Sequence, residues 1–451
     1  MTSRKISMAA GCIAVLCVML TNTVAAKLTV AEVERLGKDL TPVGADPTGN
    51  KEGTIPPWAG GITKGPAGWV RENGYADLFP DEKPLFTITA QNAEQYKANL
   101  TPGLLALLKK YPSFRMPVYP THRTAAYSKE VTDAAKAQAT QVELRGFGVT
   151  NLGDSTIPFP IPKSGLEAIW NHLMRYTGGG TDGFGNSFPV RQNGEYYKIG
   201  VHATRIYDRN MDRRTPNRLY VAMIYFTDPA ELKGEIFLVH EPIDQVAEIR
   251  AAWIYNAGQR RVRRAPDLGY DNINDGSEGM YVTDQVDGYN GAPDRYDWTI
   301  QGKKEIYVSY NAYRMGDKKL KYADMLTKGS VNPDYMRYEL HRVWVVEGKV
   351  KAGFSHVYAR RTFYLDEDSW TVLLEEAYTG RGDLWRVSIH GLVQYYDVPA
   401  PGYRFSINHD LDSGSYYLGG VDNELKTVGT YNVKGKVSDF QPDALRRMGT
   451  K

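Results

Sequence analysis

The sequence predicts an α+β protein built on one large antiparallel β-sheet, preceded by an arm of helices and loops. Two observations lead to this fold class. From Glu195 onward, short runs rich in Tyr, Val, Ile and Trp alternate with turn residues, a pattern typical of strands. Most segments between these runs are too short for a parallel crossover, so neighbouring strands are predicted to be antiparallel.

Nine runs carry the strand pattern, and one of them indicates how the sheet is covered. Between Arg218 and Thr227, apolar residues occupy both the odd-numbered and the even-numbered positions, so both faces should be buried. Helices can cover one face, whereas a second sheet, the far wall of the same sheet or a ligand must cover the other. The predicted strands are Tyr196–Tyr207, Arg218–Thr227, Glu235–His240, Ala247–Asn256, Tyr296–Gln301, Glu305–Asn311, Arg337–Glu347, Gly353–Leu365 and Trp370–Thr379.

Four helices are predicted outside these strands, and capping residues mark most of their starts. Capping boxes begin at Thr29 and Ser164, and Thr101 stands as an N-cap before Pro102. The helices are predicted from Thr29 to Leu40, from Thr101 to Tyr111, from Ser128 to Thr140, and from Ser164 through Met174, ending at the triplet Gly178, Gly179 and Gly180. We therefore predict a leader over residues 1–26, an arm over 27–145, a sheet domain over 146–425 and a tail over 426–451.

The first 26 residues have the three parts of a secretion signal. A basic pair, Arg4 and Lys5, precedes an apolar run that ends at Leu20, and small residues up to Ala26 supply a cleavage site. We expect cleavage after Ala26 and a periplasmic protein. An uncleaved membrane anchor and lipidation at Cys12 are the alternatives.

Composition excludes several classes of site. Both cysteines, Cys12 and Cys17, lie in the predicted leader, so the mature chain is expected to have no thiol nucleophile, thiolate metal site or disulfide. Loss of Arg4 and Lys5 lowers the formal net charge from +3 to +1. A nearly neutral protein has no overall attraction to nucleic acid, and we predict no nucleic-acid partner.

The familiar catalytic motifs are absent from the sequence. It contains neither a GxSxG nucleophile elbow nor an HExxH zinc helix. The segment from Asp271 to Gly276 resembles a calcium loop, but Ile273 occupies a ligand position and Val282 stands where a bidentate Glu is required. We predict no catalytic residue, no metal site and no cofactor, although two carboxylates could still meet in the folded chain.

A run of arginines and a run of acids follow one another. Arg260, Arg261, Arg263 and Arg264 end a predicted strand, and eight acidic residues but only one basic residue, Arg295, occur in the segment 267–297. We predict that the two segments pair into a structural charge network, since unpaired arginines repel one another. The alternative is that the arginines dock a partner.

Five short motifs are distinctive in combination: Gly53-Thr54-Ile55-Pro56-Pro57-Trp58-Ala59-Gly60-Gly61, Trp170-Asn171-His172, Arg260-Arg261-Val262-Arg263-Arg264-Ala265-Pro266, Asp294-Arg295-Tyr296-Asp297-Trp298 and Arg342-Val343-Trp344. Together they resemble a proteobacterial family of unknown function that is often labelled outer membrane lipoprotein-sorting protein, over about Leu36 to Tyr396. The resemblance implies a fold similar to LolA- and LolB-type carriers, a curved half-barrel with helices on its concave side. It also implies an outer-membrane partner protein and an exporter of the resistance-nodulation-division class.

Two functions from different classes remain. The first is a periplasmic carrier or chaperone that shields a lipid or other apolar molecule in the half-barrel and serves export to the outer membrane. The second is a periplasmic hydrolase acting on a lipid-like or glycoside substrate. If the odd-numbered face of the strand from Arg218 lines the cavity, the ligand-binding residues are Leu219, Val221, Met223, Tyr225, Trp253, Tyr255, Trp298, Trp344 and Trp170.

Overall fold

A computed structural model describes residues 27–266, 268 and 270–449 of the chain. The predicted leader and its cleavage site lie outside the described residues. Six α-helices form in the described part: α1 (Val30–Glu34), α2 (Pro102–Lys110), α3 (Lys129–Gln138), α4 (Gly165–Met174), α5 (Tyr322–Met325) and α6 (Pro442–Gly449). No helix in these ranges is both long and apolar enough to span a bilayer.

The predicted helix starts agree with the structure, because N-caps act locally. The side chains of Thr29, Thr101, Ser128 and Ser164 each accept a hydrogen bond from a backbone N–H of the first turn of α1, α2, α3 and α4. The predicted end of α1 at Leu40 is wrong. The helix stops at Glu34, and Gly37 soon afterwards turns the chain with a φ of +79°.

The strands of the described chain are more numerous than the sequence pattern indicates. They are β1 (Phe86–Ile88), β2 (Met116–Val118), β3 (Glu143–Arg145), β4 (Gly148–Thr150), β5 (Gly180–Val190), β6 (Ile199–Tyr207), β7 (Arg218–Asp228), β8 (Ile236–Pro242), β9 (Ala251–Asn256), β10 (Arg261–Arg264), β11 (Tyr296–Ser309), β12 (Tyr338–Val350), β13 (Arg360–Asp366), β14 (Val372–Tyr378), β15 (Leu384–Tyr395), β16 (Ala400–Asp410), β17 (Tyr416–Val421) and β18 (Thr430–Tyr431).

Sixteen of these strands form one sheet, with β3 and β4 as a separate hairpin. The order along the sheet is β1-β2-β12-β13-β14-β15-β16-β17-β5-β6-β7-β8-β9-β10, while β11 also pairs with β12 and β18 with β5. The long strands pair antiparallel, and the only parallel pairing between two of the strands named above is the single bridge from β2 to β12. The predicted α+β class with a large antiparallel sheet is confirmed.

Two errors in the strand prediction have a local cause. The strands β5, β15, β16 and β17 were not predicted, since β5 and β16 contain Gly and Pro that are typical of loops. The predicted strands Tyr296–Gln301 and Glu305–Asn311 are one strand, β11. Its register with β12 shifts between Ile300 and Gly302, so a bulge at the glycine continues the strand where the sequence indicated a turn.

The sheet curves around α4. One side of this helix packs with Trp344 and Val346 of β12, and Trp170 belongs to a cluster with Leu219 of β7. In a flat sheet these two strands would be roughly 38 Å apart, because neighbours are about 4.8 Å apart. A ten-residue helix is only about 15 Å long, so the sheet must wrap round it.

The helix lies very close to the sheet. A Cβ atom at Gly165, the first residue of α4, would lie 2.5 Å from the backbone nitrogen of Thr299 in β11. The arm helix α2 lies on the opposite, outer face, where Leu104 and Leu107 share a core with Val387 of β15. Helices therefore lie on both faces of the sheet. On the inner face, they leave a cavity.

Candidate functional site

A cavity of about 360 Å³ lies on the inner face of the sheet. Its floor is formed by strands β16, β17, β5, β6 and β7, and residues of the segment 281–287, here called the covering loop, also line it. Tyr281 of this loop stacks on Tyr417 of β17, with ring centroids 5.1 Å apart. The lining residues are Thr181, Ser187, Ala203, Thr204, Arg205, Ala222, Ile224, Tyr281, Val286, Asp287, Tyr403, Phe405, Ser406, Asn408, Tyr417, Gly419 and Gly420.

The even-numbered residues of β7 face this cavity. Ala222 and Ile224 line it and stand opposite Arg205 and Ala203 of β6. The odd-numbered Val221 and Met223 pack instead into a core with Leu445 of α6. The cavity is therefore on the face opposite to the one that the sequence analysis assumed, because the C-terminal helix covers the odd-numbered face.

None of the nine predicted ligand-binding residues is among the described residues that line the cavity. Val221, Met223, Tyr225, Trp253 and Tyr255 belong to or border the core under α6. Val221 also borders a smaller cavity of about 160 Å³ beneath the C-terminal segment. Trp298 and Trp344 pack against the core around α4, and Trp170 and Leu219 meet on the other side of that helix.

Asp287 anchors one end of the covering loop. Its carboxylate accepts hydrogen bonds from Arg175 at 2.6 Å and from Arg205 at 3.0 Å. Burial alone would raise the pKa of Asp287, but the two guanidinium groups outweigh it and lower the pKa. Nε2 of His172 lies 2.9 Å from the backbone oxygen of Asp287, which ties the loop to α4 as well.

Asp284 anchors the middle of the same loop in a fully buried charge cluster. Its Oδ2 accepts hydrogen bonds from Arg361 at 2.8 Å, and Nε2 of His356 lies 2.9 Å away. Arg361 also donates to Glu375 at 2.6 Å. Burial raises the pKa of Asp284, yet the charges of Arg361 and His356 lower it overall.

Neutral polar groups without complete partners lie at the floor of the cavity. Nδ2 of Asn408 is buried and has no hydrogen-bond partner, and its Oδ1 accepts from Ser388 at 2.8 Å. Nδ1 of His390 lies 2.8 Å from Oγ of Ser406, while its Nε2 is buried without a partner. These two nitrogens lie beneath the surface of the cavity, where an unpartnered polar atom is costly.

Four buried histidines predict an acid-sensitive fold. Burial is the main reason that the pKa values of His172 and His240 are lowered, that of His390 to about 3 and that of His409 to about 4. In the unfolded chain the pKa is about 6.5, so below that pH the unfolded state binds more protons and stability falls with falling pH. We expect each histidine to remove up to about 1.4 kcal/mol per pH unit from the free energy of unfolding.

Urea unfolding at about pH 7, 6 and 5 measures this slope, at pH values where most carboxylates stay ionised. The variant His390→Gln is the control, because it removes one titrating group and should reduce the slope. An identical slope in this variant would contradict the assignment.

The arginine run lies at the edge of the sheet. Arg261, Arg263 and Arg264 are exposed on β10, the last strand of the sheet order, and Arg260 is exposed in the preceding turn. The acidic segment forms ion pairs with other arginines: Asp271 with Arg295, Glu278 with Arg191, Asp284 with Arg361, and Asp287 with Arg175 and Arg205. Within the acidic segment, burial raises the pKa of Asp275 and the charge of Arg263 partly offsets this effect, so one arginine of the run does act on this segment. The wider charge network and partner docking both stay predictions.

One group of side chains that the sequence analysis did not identify could hold a metal ion. His341, Asp366 and Asp368 each offer a ligand atom, and these atoms lie within 4.8 Å of one another. The signal in the sequence is the acidic run Asp366-Glu367-Asp368 directly after a strand. The histidine is 25 positions earlier, so only the pairing of β12 with β13 brings the three together.

Comparisons with known proteins found a matching family model, a close relative in sequence and similar solved structures. Residues 87–446 match a family model described as a protein of unknown function (DUF1329). The chain is 45% identical over 441 residues to "Uncharacterized protein PA3922" of Pseudomonas aeruginosa, with 96% of each chain covered. It is similar to a domain named for outer membrane lipoprotein sorting from Vibrio parahaemolyticus, with 15% identity, a TM-score of 0.45 and coverage of 63% of this chain and 98% of that one. It is also similar to a DUF1329 family protein from Desulfovibrio piger, with 14% identity, a TM-score of 0.41 and coverage of 60% and 92%.

Proposed function

Because this chain belongs to the DUF1329 family, proteins of unknown function, we propose from its cavity that it is a carrier for one small amphipathic molecule of the single-chain lipid class. The observation that carries the proposal is the cavity of about 360 Å³ beneath the covering loop. This volume lies at the lower end of the range of roughly 300–1,000 Å³ that is typical of small-molecule sites. It equals the space of roughly a dozen water molecules, which suits one short acyl chain and not an anchor with several chains.

The lining favours a ligand with an apolar tail and an uncharged head. Ala203, Ala222 and Ile224 supply an apolar wall on β6 and β7. Arg205 and Asp287 are the charged residues among the lining residues, and they form an ion pair at 3.0 Å. An anionic head would have to compete with Asp287 for Arg205, so a hydroxyl or carbonyl head is favoured.

The histidine next to the cavity supports binding more than catalysis. A general base works best when its pKa is near the working pH. The pKa of His390, the histidine that packs against the lining residue Tyr403, is about 3 because of burial. The carrier is therefore favoured over a hydrolase of a lipid-like or glycoside substrate, and turnover of added substrate distinguishes the two.

We place the carrier in the periplasm, in a route that delivers its ligand towards the outer membrane. The secretion signal predicted over residues 1–26 supports the location. The family resemblance carried by the five sequence motifs implies an outer-membrane partner protein and an exporter of the resistance-nodulation-division class.

Filling the cavity should abolish ligand loading. Ala222 lines the cavity in the middle of β7, so the ring in Ala222→Phe would occupy the space of the ligand. We expect purified wild-type protein to bind a monoacylglycerol, and Ala222→Phe to bind it at least about ten times more weakly, a loss of about 1.4 kcal/mol. Calorimetry with the delipidated protein measures both affinities, and mass spectrometry of organic extracts identifies any lipid that is carried through purification.

The matched control is Ala222→Ser, which keeps the volume of the cavity and should bind like the wild type. A free fatty acid should bind less tightly than the monoacylglycerol, because its carboxylate would have to compete with Asp287 for Arg205. Equal binding by Ala222→Phe would contradict the assigned site. Release of fatty acid from many equivalents of monoacylglycerol would replace the carrier by a hydrolase.

A further inference from the structure

The group formed by His341, Asp366 and Asp368 lies away from the cavity. His341 is on the same side of β12 as Val343 and Val345, which pack in the outer core, whereas the neighbouring Trp344 faces α4. The three ligand-bearing side chains are 1%, 0% and 3% exposed. We propose that they bind one divalent transition-metal ion such as Zn²⁺, at a site independent of the proposed carrier function.

Asp366 is the member of the group whose charge has no partner. Its Oδ2 accepts hydrogen bonds from Ser369 at 2.6 Å and from Tyr310 at 3.2 Å. Its Oδ1 is buried and has no hydrogen-bond partner. Transfer of a lone carboxylate from water into such surroundings is costly, and a bound cation removes this cost.

The neighbouring acids already have cations. Arg123 donates two hydrogen bonds to Asp368, at 2.7 and 2.8 Å, and Lys303 donates one to Glu367 at 2.8 Å. Asp366 forms no ion pair within 4.0 Å in the part of the chain that the structure describes. Asp366 is therefore the carboxylate of the group that has no cation of its own, and it has a ligand atom within 4.8 Å of those of His341 and Asp368.

His341 is held as metal-binding histidines are held. Its ring stacks on Tyr310 with centroids 3.7 Å apart, and its Nε2 lies 3.0 Å from Glu339. Arg337 in turn donates to Glu339 at 2.6 Å, which keeps that carboxylate ionised as an acceptor. When Nε2 carries the proton towards Glu339, the lone pair of the neutral imidazole is on Nδ1, and this carboxylate–histidine arrangement is typical around metal ions.

The donor set decides the class of ion. One imidazole nitrogen and two carboxylate oxygens suit Zn²⁺ or Mn²⁺, whereas Ca²⁺ and Mg²⁺ prefer oxygen alone. Three protein ligands leave a fourth position of a tetrahedral zinc site for water. Asp368 can serve although it is bound to Arg123, because each carboxylate oxygen has two lone pairs.

Titration of the chelator-treated full chain with Zn²⁺ tests the site. We expect saturable binding of one ion per chain by calorimetry and a rise of several degrees in Tm. Asp366→Asn should bind at least about ten-fold more weakly and show no rise in Tm. Asn retains the size of Asp, so the variant should fold, and His341→Gln provides a second test on another element.

The matched control is His356→Gln, which alters a buried histidine–aspartate pair that lacks a third ligand. It should bind Zn²⁺ like the wild type. The proposal would be overturned if the wild type showed no saturable binding, or if Asp366→Asn bound Zn²⁺ equally well. In either case a proton, and not a metal ion, would neutralise Asp366. Tighter binding of Ca²⁺ than of Zn²⁺ would overturn the assignment to a transition metal.

Discussion

Replacement of Arg361 by methionine should lower the free energy of unfolding by about 3–5 kcal/mol, because the variant leaves buried carboxylates without their cation. Arg361 is 0% exposed and bridges Asp284 of the covering loop to Glu375 of β14. Both acids are 1% exposed, so water cannot replace the lost hydrogen bonds. Chemical denaturation of the purified variant measures the effect.

The adjacent arginine provides the control for this prediction. Arg360 pairs with Glu347 at 3.2 Å, but its side chain is 30% exposed, so Arg360→Met should cost less than about 1 kcal/mol. Since Asp284 holds the covering loop on the sheet, Arg361→Met should also weaken binding of monoacylglycerol. A stability equal to that of the wild type would show that Arg361 does not carry the loop.

Aspartate at Met223 should lower the free energy of unfolding by roughly 4 kcal/mol or more, because it places an unpaired charge in a packed core. Met223 is 6% exposed and shares a core with Leu445 of α6. Ile224→Asp is the control on the other face of the same strand. Its side chain faces the cavity, so we expect a smaller loss of stability but a complete loss of ligand binding.

Thermal and chemical unfolding measure the loss of stability in the two variants, and calorimetry with monoacylglycerol measures their loss of ligand binding. The reverse pattern, with Ile224→Asp unfolded and Met223→Asp folded but unable to bind, would restore the odd-numbered face as the cavity side.

The parts of the fold that sequence reasoning predicted are those with local causes. The N-caps at Thr101, Ser128 and Ser164 and most of the long strands depend on residues within a few positions. The bulge at Gly302 and the strand β5 were missed because glycine has the same local signature in a loop and in a sheet. Pairing with another strand decides that both segments are extended. The residues around Gly302 pair with β12, which is distant in sequence, and β5 pairs with β6, which follows it after a turn.

The sequence by itself determined that both faces of β7 are covered. Successive side chains of any strand point to opposite faces, and in this strand both the odd-numbered and the even-numbered residues are apolar. Only the tertiary structure decided which face is core and which lines the cavity. The C-terminal helix α6, more than 200 residues further on, covers Met223, and the covering loop leaves space above Ala222. The partners of the acidic residues are likewise decided by the tertiary structure. The sequence indicated that the segment 267–297 needs basic partners, and the fold brings Arg175 and Arg205 to Asp287. The four arginines from Arg260 to Arg264 are exposed because β10 is the edge of the sheet, where water already stabilises charge.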